Sequence, residues 1–159
     1  MTRATRIVGI GQPFAGDDGV GLAVVNELEQ MSALVQVSFV QVSFARVADA
    51  MGLLPLIESS ELLVVVDAVL ASPAGQVKVL DVDELSSFPS CRASSHGFGV
   101  AKALGLGTVL YPAETREIRI VAVCIDRPRG YAVGLSPVVA DAVRVAAARV
   151  LSLVASCAR

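Results

Sequence analysis

The chain of 159 residues has no Trp, 4% aromatic side chains and a single His. Its 13 Lys and Arg against 15 Asp and Glu leave a formal net charge of -2. The basic residues are scattered and no aromatics interleave with them, which argues against a nucleic-acid partner. The three cysteines, Cys91, Cys124 and Cys157, are far apart and odd in number. Without a Cys-x-x-Cys pair they suggest reduced thiols, neither a disulfide framework nor a zinc ribbon. No apolar run approaches the roughly 20 residues that span a bilayer. The opening MTRATRIVGIGQP lacks the apolar stretch and small-residue cleavage site of a secretory signal, so a cytoplasmic protein is expected. Also missing are a Gly-x-Ser-x-Gly elbow, a His-Glu-x-x-His helix and a Gly-Lys-Ser/Thr phosphate loop. Cys91 precedes His96 closely, but nothing in that spacing makes a catalytic thiol–imidazole pair.

What is abundant is aliphatic: hydrophobic residues make up 54% of the chain. Such a composition suits strands buried on both faces under covering helices. The length fits a single domain over residues 1–159. The organising stretch is RIVGIGQPFAGDDGVGLAVV, from Arg6 to Val25. An apolar run predicts a strand over residues 5–10, and Gly11-Gln12-Pro13-Phe14-Ala15-Gly16 predicts a turn. Asp17 and Asp18 follow, and helical spacing of Val20, Val24 and Leu28 predicts a helix over 19–31, capped by an Asp.

Residues 35–42 alternate in polarity and predict a half-exposed edge strand. A second helix is expected over 45–58, ended or kinked by Pro55. The continuous run Leu62-Leu63-Val64-Val65-Val66, closed by Asp67, predicts a buried central strand. The short link to residues 77–82 predicts a strand antiparallel to that one. A polar loop over 86–95, a glycine-weakened helix over 96–110 and a strand over 116–124 come next. Ser136-Pro137 then starts the closing helix, with Ser as N-cap. The expected architecture is α/β, a single three-layer domain with a twisted, mostly parallel five-stranded sheet and helices on both faces.

In open α/β sheets the crevice at the carboxyl ends of the strands holds the ligand. The first strand delivers Asp17 and Asp18 there, and the third delivers Asp67. These strands are expected to be neighbours, so their carboxylates should meet. His96 opens a glycine-rich helix start. Two carboxylates and an imidazole could ligate a borderline or hard divalent ion. Each also has a plainer reading: helix cap for an Asp of the pair, Asx turn for Asp67, surface or cap residue for His96. A dinucleotide loop is disfavoured, because Phe14 replaces the third glycine and the acid pair would repel a pyrophosphate.

The motif from Gly9 to Gly21, with Val64-Val65-Val66-Asp67-Ala68, Ser94-Ser95-His96-Gly97-Phe98-Gly99 and Val133-Gly134-Leu135-Ser136-Pro137, resembles the hydrogenase maturation endopeptidases. These proteases trim the C-terminal extension from the large subunit of nickel–iron hydrogenases. The resemblance implies a five-stranded sheet with helices on both faces. It implies metal ligands at Asp18, Asp67 and His96, with Asp17 left as the helix cap. It also implies nickel, supplied by the hydrogenase large-subunit precursor, and metal-assisted cleavage of that precursor's tail. Two positions depart from the pattern. Gln12 stands where Asn is usual, and Gln41-Val42-Ser43-Phe44-Ala45-Arg46 stands where an acid, glycines and a Thr are expected after the second strand. The second departure motivates an alternative, a non-cleaving, nickel-sensing or chaperone-like module on the same fold.

Overall fold

The apolar run at the amino end forms strand β1 (Ala4–Ile10) in a computed structural model that describes residues 4–34, 41–88 and 99–157. After a short 3₁₀ turn, Gly16–Gly19, helix α1 runs over Val20–Leu34. Strand β2 (Gln41–Val47) pairs parallel with β1 at the sheet edge. A second 3₁₀ turn, Ala50–Leu53, leads into helix α2 (Leu54–Glu58). Strand β3 (Leu62–Leu70) is parallel to β1, strand β4 (Val77–Leu80) lies at the far edge, and helix α3 covers Val82–Ser86. Helix α4 (Val100–Leu110), strand β5 (Glu117–Ile125) and helix α5 (Pro137–Cys157) complete the order. The sheet order is β2-β1-β3-β5-β4, with only the β4–β5 pair antiparallel.

Strand periodicity divides the core between two faces. Leu62, Val64 and Val66 join Val20, Val24 and Leu28 of α1 and Val139, Ala146 and Val150 of α5 on one side. Leu63, Val65 and Val69 join Leu53, Ile57, Leu85 and Leu104 on the other. Each fully buried aliphatic side chain of this kind contributes roughly 1.5–3 kcal/mol. Because both faces are covered, β3 shows no polar alternation before Asp67. Among the described residues no helix is long and apolar enough to cross a membrane.

Several elements differ from expectation. Residues 41–46 are not a loop: they form most of β2, paired residue for residue with β1. The expected strand over 35–42 overlaps it at Gln41 and Val42 only, and residues 35–40 lie outside the described residues. A helix over 45–58 fails because Ala45, Arg46 and Val47 are held in the sheet and Asp49 breaks the chain into a turn. Pro55 then sits in the first turn of α2, where its missing N–H has no intrahelical partner to lose, so it opens that helix and does not end it. Strand β4 is antiparallel, but its partner is β5, which inserts beside β3. Helix α3 was not foreseen. Its signal is the Asp81-Val82-Asp83-Glu84 capping box, in which Asp81 Oδ1 accepts from the Glu84 N–H at 2.7 Å and Glu84 Oε2 accepts from the Asp81 N–H at 2.8 Å. Of the helix expected over 96–110, Val100–Leu110 is present; residues 96–98 lie outside the described residues.

Candidate functional site

The glycine motif after β1 sets how closely helix and sheet approach. A Cβ on Gly21 would lie 2.4 Å from the Val66 carbonyl oxygen and 2.5 Å from that of Ile10. Helix α1 therefore rests directly on the backbones of β1 and β3, which only glycine permits. At Gly11 the backbone has φ +156°, and a Cβ would meet the Asp18 carbonyl oxygen at 2.3 Å. These glycines serve helix–sheet packing, and the Gln12 N–H points to Asp18 Oδ2 at 3.3 Å. A loop amide engaged by the chain's own carboxylate is a poor phosphate cradle.

The sheet changes direction between β1 and β3: the chain builds outward to β2 on one side and to β5 and β4 on the other. The last β1–β3 pair is Gly9 with Val66. Beyond it β3 continues with β5 alone, Asp67 opposite Ala122. Asp67 is thus the first β3 residue beyond its last pairing with β1, level with Ile10 at that strand's end, at the carboxyl edge where such folds bind ligands. Its parity puts it with Leu63, Val65 and Val69, on the face that α2, α3 and α4 cover. Asp67 Oδ1 accepts a 2.8 Å bond from the Ala68 N–H. Burial, and then the nearby charge of Asp18, push the Asp67 carboxyl up to about 7, against the opposing pull of that N–H bond. The structure thus brings Asp18 and Asp67 together.

Two half-buried carboxylates that repel each other form a site suited to a cation. Among the described residues neither takes part in a salt bridge. His96 lies outside the described residues. Among the described residues no cluster of three or more His, Cys, Asp or Glu side chains is arranged to hold a metal. The described part of the expected site is therefore its two carboxylates.

Asp17 has a different job from the one expected. It does not cap the turn that leads into α1, which has no side-chain cap bond. Its Oδ1 accepts from the Ser136 N–H at 2.6 Å and its Oδ2 from the Ser136 hydroxyl at 2.8 Å. The acid pair divides: Asp18 faces Asp67, and Asp17 locks the motif to the entrance of α5. No spacing rule finds a partner this remote in sequence. Asp49, also overlooked, accepts from the Met51 and Gly52 N–H groups and shapes the turn after β2. Because residues 41–46 lie in β2, the loop after that strand begins at Ala48 and carries one acid, Asp49.

The model of the hydrogenase maturation protease family matches residues 22–153. The chain belongs to that family. The match takes in Asp67 and His96 and begins after the Asp17-Asp18 pair. A Methanocaldococcus jannaschii protein assigned as a hydrogenase maturation protease is 34% identical over 100 residues, 62% of this chain. The chain spans 63% of the length of that relative. Two solved structures share the fold of this maturation protease family member. The hydrogenase maturating endopeptidase HybD of Escherichia coli has a TM-score of 0.72 at 20% identity, covering 97% of this chain and 93% of that one. The [NiFe] hydrogenase maturation protease HybD of Thermococcus kodakarensis gives 0.72 at 22% identity, covering 95% and 99%. The five-stranded α/β architecture expected from the sequence is the one observed.

Proposed function

We propose that this chain is an endopeptidase that removes the C-terminal extension of a nickel–iron hydrogenase large-subunit precursor once nickel is in place, with Asp18, Asp67 and His96 engaging the metal. The observation that carries this reading is the meeting of Asp18 and Asp67, delivered by separate strands to the carboxyl edge of the sheet in a maturation-protease fold. Asp67 projects to the face covered by α4, and α4 begins at Val100, shortly after His96. Nickel, carried in by the precursor, would supply Lewis acidity toward the scissile carbonyl or an attacking water. The chain's own part is to hold and orient. Asp67 carries a proton for much of its time near neutrality, so taking up a divalent cation releases that proton, and uptake weakens as pH falls below about 7. The Gln12 N–H steadies Asp18, and the Ala68 N–H steadies Asp67. Asp17 fixes the loop that presents Asp18 through its two bonds to Ser136.

The test has two arms. Nickel or cadmium titrated into wild type and a His96→Ala variant should show weaker binding by the variant; equal binding would overturn the ligand assignment. Incubation with the nickel-loaded precursor should give a mass loss from its C-terminal tail. A stable complex without cleavage would overturn the protease reading.

A further inference from the structure

An open groove of about 770 Å³ is bounded by Ala15, Gly16 and Asp17 on one side and by the 126–130 segment on the other. The segment over 126–134 leaves the carboxyl end of β5, the strand that pairs with β3 at Asp67. It folds back on the glycine motif. The Gly16 N–H donates to the Ala132 carbonyl at 3.0 Å, and the Ala132 N–H donates to the Phe14 carbonyl at 3.2 Å. Asp17, in the groove wall, is the covalent neighbour of Asp18.

Two features of the segments that bound the groove are not explained by folding. Arg127 and Arg129 are exposed, and among the described residues neither makes a hydrogen bond or an ion pair. Phe14, Tyr131 and Val133, at 65%, 97% and 86% exposure, leave apolar side chains in water on the same two segments. Of the carboxylates in the groove, Asp17 is committed to Ser136, which leaves Asp126 against two guanidinium groups. Arg and aromatic side chains are the residue types enriched where peptides and proteins dock.

We propose that this groove docks an acidic segment of the precursor's C-terminal tail, Arg127 and Arg129 taking an Asp or Glu side chain while Phe14, Tyr131 and Val133 take apolar residues beside it. The proposal rests on the protease reading for the identity of the occupant. The charge layout supports it: the carboxylate pair suits the cationic metal end of the precursor, and the arginine rim suits an anionic stretch that continues from it. A guanidinium binds a carboxylate through two parallel N–H bonds, so the pair fixes direction as well as affinity.

The probe is a fluorescein-labelled peptide of the tail of the nickel–iron hydrogenase large subunit from the same genome. It is read by anisotropy on the full-length chain, wild type and the double variant Arg127→Gln/Arg129→Gln. The double variant should bind about tenfold more weakly. Added salt should weaken wild type more than the variant. Exchanging the peptide's acidic side chains for amides should weaken wild type to the same degree, while amidating only its C-terminus should not. Nickel affinity and circular dichroism of the double variant should match wild type. Equal peptide binding by the two proteins, a tail with no acidic residue, or a loss produced by terminal amidation alone would overturn the proposal. If wild type leaves the nickel-loaded precursor uncut while peptide affinity still follows the arginines, the protease reading fails and the docking groove stands.

Discussion

Replacing Asp67 by Asn should stabilise the protein at neutral pH while removing its cation site. An unfolded Asp loses its proton near 3.8, whereas Asp67 in the fold holds it to about 7. Between those values the folded state binds one proton more than the unfolded state, so stability falls as pH rises across the window. Below about pH 4 both states are protonated and Asp67 costs nothing; above about pH 7 both are ionised and the full cost applies. Three pKa units correspond to about 4 kcal/mol, and the part of the side chain that still meets water reduces this to about 2–4 kcal/mol. Asn keeps an oxygen to accept the Ala68 N–H, so the local bond can survive the change. Urea unfolding at about pH 5 and about pH 8 measures it. The variant should gain on wild type by most of that amount at the higher pH and by clearly less at the lower. Excess nickel should then restore wild type at the higher pH, by about 2.7 kcal/mol at a hundredfold excess over Kd, and leave the variant unchanged. A stability difference between the two proteins that is the same at both pH values would refute the account of Asp67 as a buried, charge-crowded carboxyl.

Two further substitutions test the frame around that site. Asp17→Ala removes both bonds to Ser136 and should cost about 2 kcal/mol, lowering Tm by about 4–8 °C; an unchanged Tm would show that the link is idle. Gly21→Ala places a methyl against two carbonyl oxygens and should destabilise by about 3 kcal/mol or more, seen as a lower urea midpoint.

The central strands were legible because β1 and β3 are buried on both faces and therefore appear as unbroken aliphatic runs. The closing helix was legible from Pro137, its first residue, which needs no N–H partner there. The region after α1 was not. In residues 41–47 the burial is intermediate or slight, as on an edge strand, so no clean period marks where strand ends and helix begins. The parallel register with β1, a long-range pairing, decides it. The β4 partner was missed for the same reason: a short link signals an antiparallel turn, but β5 arrives later and occupies the place beside β3. Of the candidate site, strand-end reasoning put the Asp17-Asp18 pair and Asp67 at the ends of neighbouring strands, and β1 and β3 do pair in the sheet. It could not assign Asp17, whose partner is a fold-level neighbour.

The acid pair also shows why one backbone turn can carry both a scaffold residue and a chemical one. Neighbouring residues in a 3₁₀ turn point about a third of a turn apart, so two adjacent carboxylates cannot serve the same cleft. Asp17 is directed toward α5, where two donors hold its charge. Asp18 is directed toward β3, where its charge meets Asp67 and raises that residue's pKa. Exchanging Asp17 should therefore act first on stability, and on the Asp67 titration only through the loop that presents Asp18. A change at Asp18 should lower the Asp67 pKa directly, because the like charge that holds it up is gone.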